Sequence, residues 1–173
     1  MPSEGRNSGL PTYSVSSGEN VNTDGGTMSG IMTGTITVDA ADKEGRDVRR
    51  MLDWLATQKD VQLDAPGDPR AGMVGGSYGG GIQYVVAATD CRVDAIAPLI
   101  AWNSLVTSLG KSDTPKAGWS QILINASAGG RVDPRVTRAN REQLATGRVS
   151  PATVEFFRSR GPGGLVSRID ARA

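Results

Sequence analysis

Residues 70–101, RAGMVGGSYGGGIQYVVAATDCRVDAIAPLIA, constrain the fold more than any other part of the chain. RAGMVGG is a short run of small and apolar residues and reads as a buried strand. It runs into Ser77, the one serine in a bed of glycines. GGIQYVVAATD then has the length of a helix, with Ile82, Val85 and Val86 as its apolar stripe. CRVDAIAPLIA reads as a second buried strand, with Val93, Ile96, Leu99 and Ile100 apolar. Upstream, EGRDVRRMLDWLATQ places Val48, Met51, Leu52 and Leu55 at i, i+3, i+4 and i+7, one face of a helix. Asp42 or Glu44 stands near the positive end of that helix. Helix, strand, helix, strand in this order is the pattern of a parallel sheet covered by helices, an α/β fold.

The flanks are less regular. Residues 1–34 are rich in Gly, Ser, Thr and Asn, and a stretch such as SSGENVNTDGGTMSG buries too little apolar area to offset its ordering entropy, so it is expected to be disordered or irregular. TGTITV, at 33–38, has strand-forming residues, and LDAPGDPR reads as a loop marked by Pro66, Gly67 and Pro69. Three segments follow from this: 1–34 irregular, 35–102 an α/β core, and 103–173 a polar, helix-compatible half without strands. In that last half Ser150 is an N-cap, Pro151 the first helical residue, and Gly161 with Pro162 the stop.

GGSYG, residues 75–79, matches G-x-S-x-G. In that motif a strand turns sharply into a helix, lifting the serine hydroxyl clear of the sheet. Glycines two before and two after, here Gly75 and Gly79, relieve the crowding. The turn also aims backbone N–H groups and the positive helix end at the space where a tetrahedral oxyanion forms. The alternative is a flexible glycine loop, against which the apolar flanks count. Other glycine motifs fit less well. GGGIQ lacks the Gly-Lys-Ser/Thr of a P-loop, and no register gives a dinucleotide fingerprint. Ser108 and Lys111 form the only S-x-x-K and would meet across one helical turn, but S-D-N and K-T-G are missing.

Composition sharpens the chemistry. The 173 residues contain no histidine, which excludes a histidine base, relay or metal ligand among them. One cysteine, Cys91, excludes an internal disulfide or a cysteine-based zinc site, and its apolar neighbours predict a packed, inert thiol. No metal or cofactor is therefore expected. A net charge of +1 with scattered signs argues against nucleic acid or a membrane surface as partner, no apolar run is long enough to span a bilayer, and the first ten residues lack a signal-peptide pattern, which makes a cytoplasmic location the default.

TGTITVDAADKEGRDVRRMLDWLATQ, DPRAGMVGGSYGGGIQ and RVDAIAPLIAWNSL together resemble α/β-hydrolases of the X-Pro dipeptidyl-peptidase and cocaine-esterase type, bacterial acyl esterases among them, over residues 33–169. The resemblance implies an α/β-hydrolase parallel sheet with a nucleophile elbow, followed by a helical cap. It implies Ser77 as nucleophile and the Tyr78 backbone N–H as oxyanion donor. Trp102 is similar to a residue lining an acyl or proline pocket, and equally fits a buried core aromatic. The family's acid and histidine lie beyond the cap, and Asp170 is too early to be that acid. The early strands and their oxyanion-side loop should precede residue 33, where nothing resembles them. The resemblance thus implies the middle of a hydrolase domain, a partial chain inactive alone against a small acyl or peptide substrate. Its alternatives are a non-catalytic interaction protein, a split-hydrolase subunit completed by a complementary chain or by a homodimer, or a gene fragment.

Overall fold

The computed structural model describes residues 35–111, 114–127 and 130–169, together with the backbone of two short strands nearer the N-terminus. The chain divides into two units, Met1–Ile31 and Met32–Ala173. In the first, β1 (Asn20–Val21) pairs antiparallel with β2 (Thr27–Met28). The expectation of disorder for residues 1–34 otherwise falls outside the described residues, as does Asp170.

The second unit begins with β3 (Thr35–Ile36) and α1 (Glu44–Leu55). The strand is shorter than TGTITV suggests because Val38 and Asp39 take left-handed φ values of 66° and 54°, which no strand accommodates. LDAPGDPR is not a plain loop. Its ends form a hairpin, β4 (Leu63–Ala65) against β5 (Asp68–Pro69), closed by Pro66 and by Gly67 at φ 79°. A proline followed by a glycine in the left-handed region suits such a tight turn.

β6 (Ala71–Gly76), α2 (Tyr78–Ala87) and β7 (Val93–Leu99) make a strand–helix–strand crossover. β6 and β7 are parallel, with Met73 opposite Ile96, Val74 opposite Ala97 and Gly76 opposite Leu99. The helix covers one face. Leu52, Val86, Ala87 and Val93 form the buried core, with Val48, Leu55, Ala71, Met73, Ile82, Ile96 and Ile169 packed around it. Met51, on the expected apolar face of α1, stays 39% exposed. The other face of the pair is open among the described residues, so the expectation of fully buried strands holds for one side only. Val74 is 78% exposed, Leu99 61% and Ile100 88%.

Gln83 of α2 is fully buried and staples the crossover together. Its Nε2 donates to the carbonyls of Gly75 (3.2 Å) and Gly79 (2.7 Å), and its Oε1 accepts from the Ala97 N–H (3.0 Å). Cys91 is exposed, contrary to the expectation of a packed thiol. It sits in the turn before β7, where Arg92 is bound by Asp90 and Asp53 at 2.7 Å each, and the strand's burial starts only at Val93.

The C-terminal half carries α3 (Leu105–Leu109), β8 (Gly110–Lys111), β9 (Thr114–Pro115), α4 (Ala117–Ala126), β10 (Arg131–Val132), α5 (Pro134–Thr146), α6 (Pro151–Arg158) and a 3-10 helix (Gly163–Arg168). It is therefore not strandless. β8 and β9 form a hairpin, and β10 pairs parallel with β3. α3 ends before Lys111, so Ser108 and Lys111 do not share a helical turn. Asp133 caps α5 by accepting the Arg135 N–H at 2.8 Å, and its own N–H donates to the Ile36 carbonyl at 2.9 Å, which links the cap to β3. Ser150 caps α6, with Pro151 following as expected. Among the described residues no helix is long and apolar enough to cross a membrane.

Candidate active site

Ser77 occupies the single residue between β6 and α2. Its backbone is at φ 51°, ψ −114°, a conformation that L residues rarely take. Its N–H donates to the Leu99 carbonyl at 2.9 Å, and its carbonyl accepts from Gly80 and Gly81. The turn is thereby tied to the end of β7 and to the first turn of α2. Ile100, just past β7, is also left-handed at φ 44°. Four non-glycine residues with positive φ, namely Val38, Asp39, Ser77 and Ile100, thus stand just beyond the C-terminal ends of β3, β6 and β7. Strained backbone of this kind persists only where the surroundings hold it.

The glycines around Ser77 serve close approach, at Gly75 as expected but not at Gly79. A Cβ on Gly75 would meet the Gly79 carbonyl oxygen at 3.0 Å, whereas one on Gly79 would meet nothing within 4 Å. The tight positions are the next two. A Cβ on Gly80 would lie 2.9 Å from the Ala101 Cβ, and one on Gly81 would lie 2.3 Å from Asp39 Oδ2 and 2.9 Å from Trp102 Cζ2.

Tyr78 is the first residue of α2, so its N–H has no intrahelical acceptor. Its hydroxyl accepts from the N–H groups of Val38 (3.1 Å) and Asp39 (3.2 Å) and donates to Glu44 Oε1 (2.9 Å). The Glu44 carboxylate also accepts from the Thr37 N–H and Oγ1, both at 2.5 Å, and from the Ala40 N–H at 3.1 Å. The 37–40 loop is thus wrapped around one carboxylate and one phenol. Burial, with Asp39 and Glu44 nearby, pushes the Tyr78 hydroxyl well above the ordinary phenol range.

Asp39 and Trp102 complete the corner. Asp39 is 1% exposed, and among the described residues neither carboxyl oxygen has a hydrogen-bond partner. Burial, reinforced by the Glu44 charge, raises its pKa to about 8. The Trp102 ring stands edge-on to Tyr78 with centroids 6.3 Å apart, and its buried Nε1 likewise has no partner. A Cβ on Gly161, at φ 82°, would fall 2.6 Å from that nitrogen, so the indole lies between Gly81 and Gly161. Tyr78 and Trp102 therefore share one corner, which Ser77 adjoins as the residue before Tyr78. Asp39, Glu44 and Gln83, which also build it, were not legible as site residues; Glu44 reads in sequence only as an acid near a helix start. Among the described residues no group of three or more His, Cys, Asp or Glu side chains is placed to hold a metal ion.

The family model for X-Pro dipeptidyl-peptidase (S15 family) matches residues 25–156, about three quarters of the 173 residues. The chain belongs to the X-Pro dipeptidyl-peptidase S15 family. That membership agrees with the resemblance drawn from the sequence and makes the chain part of a hydrolase family. No curated protein matches it.

Proposed function

We propose that Ser77 is the nucleophile of a serine hydrolase acting on an ester or an X-Pro amide. The left-handed strand-to-helix turn at Ser77, in a chain of this family, carries the reading. Such a turn is the geometry of a nucleophile elbow, in which the serine hydroxyl attacks a carbonyl and the N–H of the next residue, Tyr78, stabilises the oxyanion. Trp102 would then wall the acyl or proline pocket. Attack on an ester or amide forms an acyl-enzyme that water hydrolyses, with a base taking the serine proton and returning it to the leaving group.

The 173 residues hold no histidine, so a histidine base is not among them. A serine without a base is a poor nucleophile, and the chain by itself is expected to be inactive. Purified chain should hydrolyse a p-nitrophenyl ester or an X-Pro chromogenic amide no faster than Ser77→Ala. Added imidazole supplies a base in solution. With it, a fluorophosphonate should modify Ser77 alone, read by peptide mass spectrometry and absent from Ser77→Ala. Modification spread over other serines, or none at Ser77, would overturn the assignment. Turnover by wild type well above the Ser77→Ala background without imidazole would show that some other group serves as base.

The open apolar face at Val74, Leu99 and Ile100 favours a second reading, a subunit completed by another chain that carries the acid and base. Co-purification with a second polypeptide supports it, and a clean monomer speaks against it.

A further inference from the structure

Among the described residues, the Asp39 carboxyl has both of its oxygens buried without a partner. It lies under α2 against Gly81 and Trp102. Its own backbone is left-handed, and its N–H and that of Val38 are held by the Tyr78 hydroxyl. We propose that Asp39 is a proton-operated latch on the Ser77 turn: as a neutral acid it lets the 37–40 loop close beneath α2, and as a carboxylate it is expelled toward water and releases Tyr78 and Trp102.

The geometry gives the sign. A buried carboxylate without donors pays a large desolvation cost, whereas a neutral carboxyl pays far less. The groups around the loop offer no relief. From α1, Glu44 presents a second negative charge. From α2 comes only the Tyr78 hydroxyl, itself already donating to Glu44. The nearby cations are engaged elsewhere: Arg49 donates to the Ala41 carbonyl and to Thr89, Arg160 to the Thr37 carbonyl, and Arg135 to Asp133. On the loop itself, Lys43 and Asp42 are exposed and face each other at 3.9 Å. Burial and Glu44 push the closed Asp39 carboxyl up to about 8, and because an expelled carboxylate regains its ordinary acidity, that value is the upper bound on the pH at which the latch opens.

The absence of histidine makes the test clean, because no imidazole titrates in this window. A Cys91→Ser background removes the one thiol. Labelling with 5-fluorotryptophan resolves the three indoles by 19F NMR. The Trp102 signal should shift reversibly with one midpoint between the ordinary carboxylate range and about pH 8, while Trp54 and Trp119 stay fixed. Amide exchange at residues 38–40, whose N–H groups bond Tyr78 and Glu44, should accelerate by up to about tenfold per pH unit beyond the intrinsic increase as pH rises toward that midpoint. Asp39→Asn should abolish both changes, and so should Asp39→Gly, which suits a positive φ. A wild-type Trp102 signal that is flat from pH 4.5 to 9.5 overturns the proposal. So does a transition kept in either variant, or a loss of fold in both, since the closed state requires only a neutral residue. Any accompanying fall in Ser77 labelling rests on the hydrolase reading; the 19F and exchange results stand without it.

Discussion

Gly79 and Gly81 lie two residues apart in the first turns of α2 and respond oppositely to a methyl group. Gly81 has no room: its Cβ would overlap the Asp39 carboxyl and crowd Trp102. Gly81→Ala should cost about 1–3 kcal/mol or more, the usual penalty for overpacking. Gly79 has open space and a helical backbone, so Gly79→Ala should be neutral or stabilise by about 0.4–1 kcal/mol through the unfolded chain. Chemical denaturation of both variants checks the pair, and equal losses would show that the turn is not built as described. The G-x-S-x-G pattern marks Gly79, yet the steric demand falls on Gly80 and Gly81, because helix α2 approaches the end of β7 and the 37–40 loop there. That approach is a tertiary fact with no local signal. Asp39 was illegible for the same reason. Asp tolerates left-handed backbone better than most residues, but nothing in DAADKEG says that its carboxyl will be buried.

Elements were legible where periodicity ran long. α1 and the β6–α2–β7 crossover follow from spaced or continuous apolar residues. The short pairings did not, because a two-residue ladder leaves no periodic trace. β10 meets β3 across nearly the whole unit, Arg131 opposite Thr35 and Val132 opposite Ile36. What secures that junction is the start of α5. Asp133 bonds Ile36 through its backbone, caps the helix through its side chain and pairs with Arg135 at 2.6 Å. Asp133→Ala keeps the backbone bond and loses the cap, which should cost about 1 kcal/mol. Asp133→Asn should recover most of it, since an amide oxygen caps nearly as well. Denaturant midpoints for the two variants decide this, and an unaffected Asp133→Ala would mean that the cap contributes nothing to the β3–β10 junction.

At the scale of the molecule, pH joins these corners, because the groups with shifted ionisation pull in opposite directions. Asp90 and Asp133 are held below the ordinary carboxylate range, each first by its hydrogen bonds to a neighbouring guanidinium, Arg92 and Arg135. A carboxylate with a depressed folded pKa stabilises above its unfolded value and loses that contribution as pH falls, so these two give an acid limb below about pH 4. Asp39 has the opposite sign. Its pKa rises from 3.8 to about 8 on folding, so between these values the folded chain binds the extra proton. Stability from Asp39 is complete below the unfolded value and falls as pH climbs, by up to about 1.4 kcal/mol per pH unit, until the folded value is passed. With no histidine to add a further slope, the maximum should lie on the mildly acidic side, near pH 4–5, rather than at neutrality. Urea denaturation of the wild-type chain at half-unit steps from pH 3.5 to 9 should trace a peak there and a steady decline to pH 8. Asp39→Asn should keep the acid limb, lose the decline and end more stable than wild type at pH 8. A wild-type profile flat between pH 5 and 8 would mean that the Asp39 carboxyl is ionised or solvated in the folded chain, and the closed corner beneath α2 would have to be abandoned.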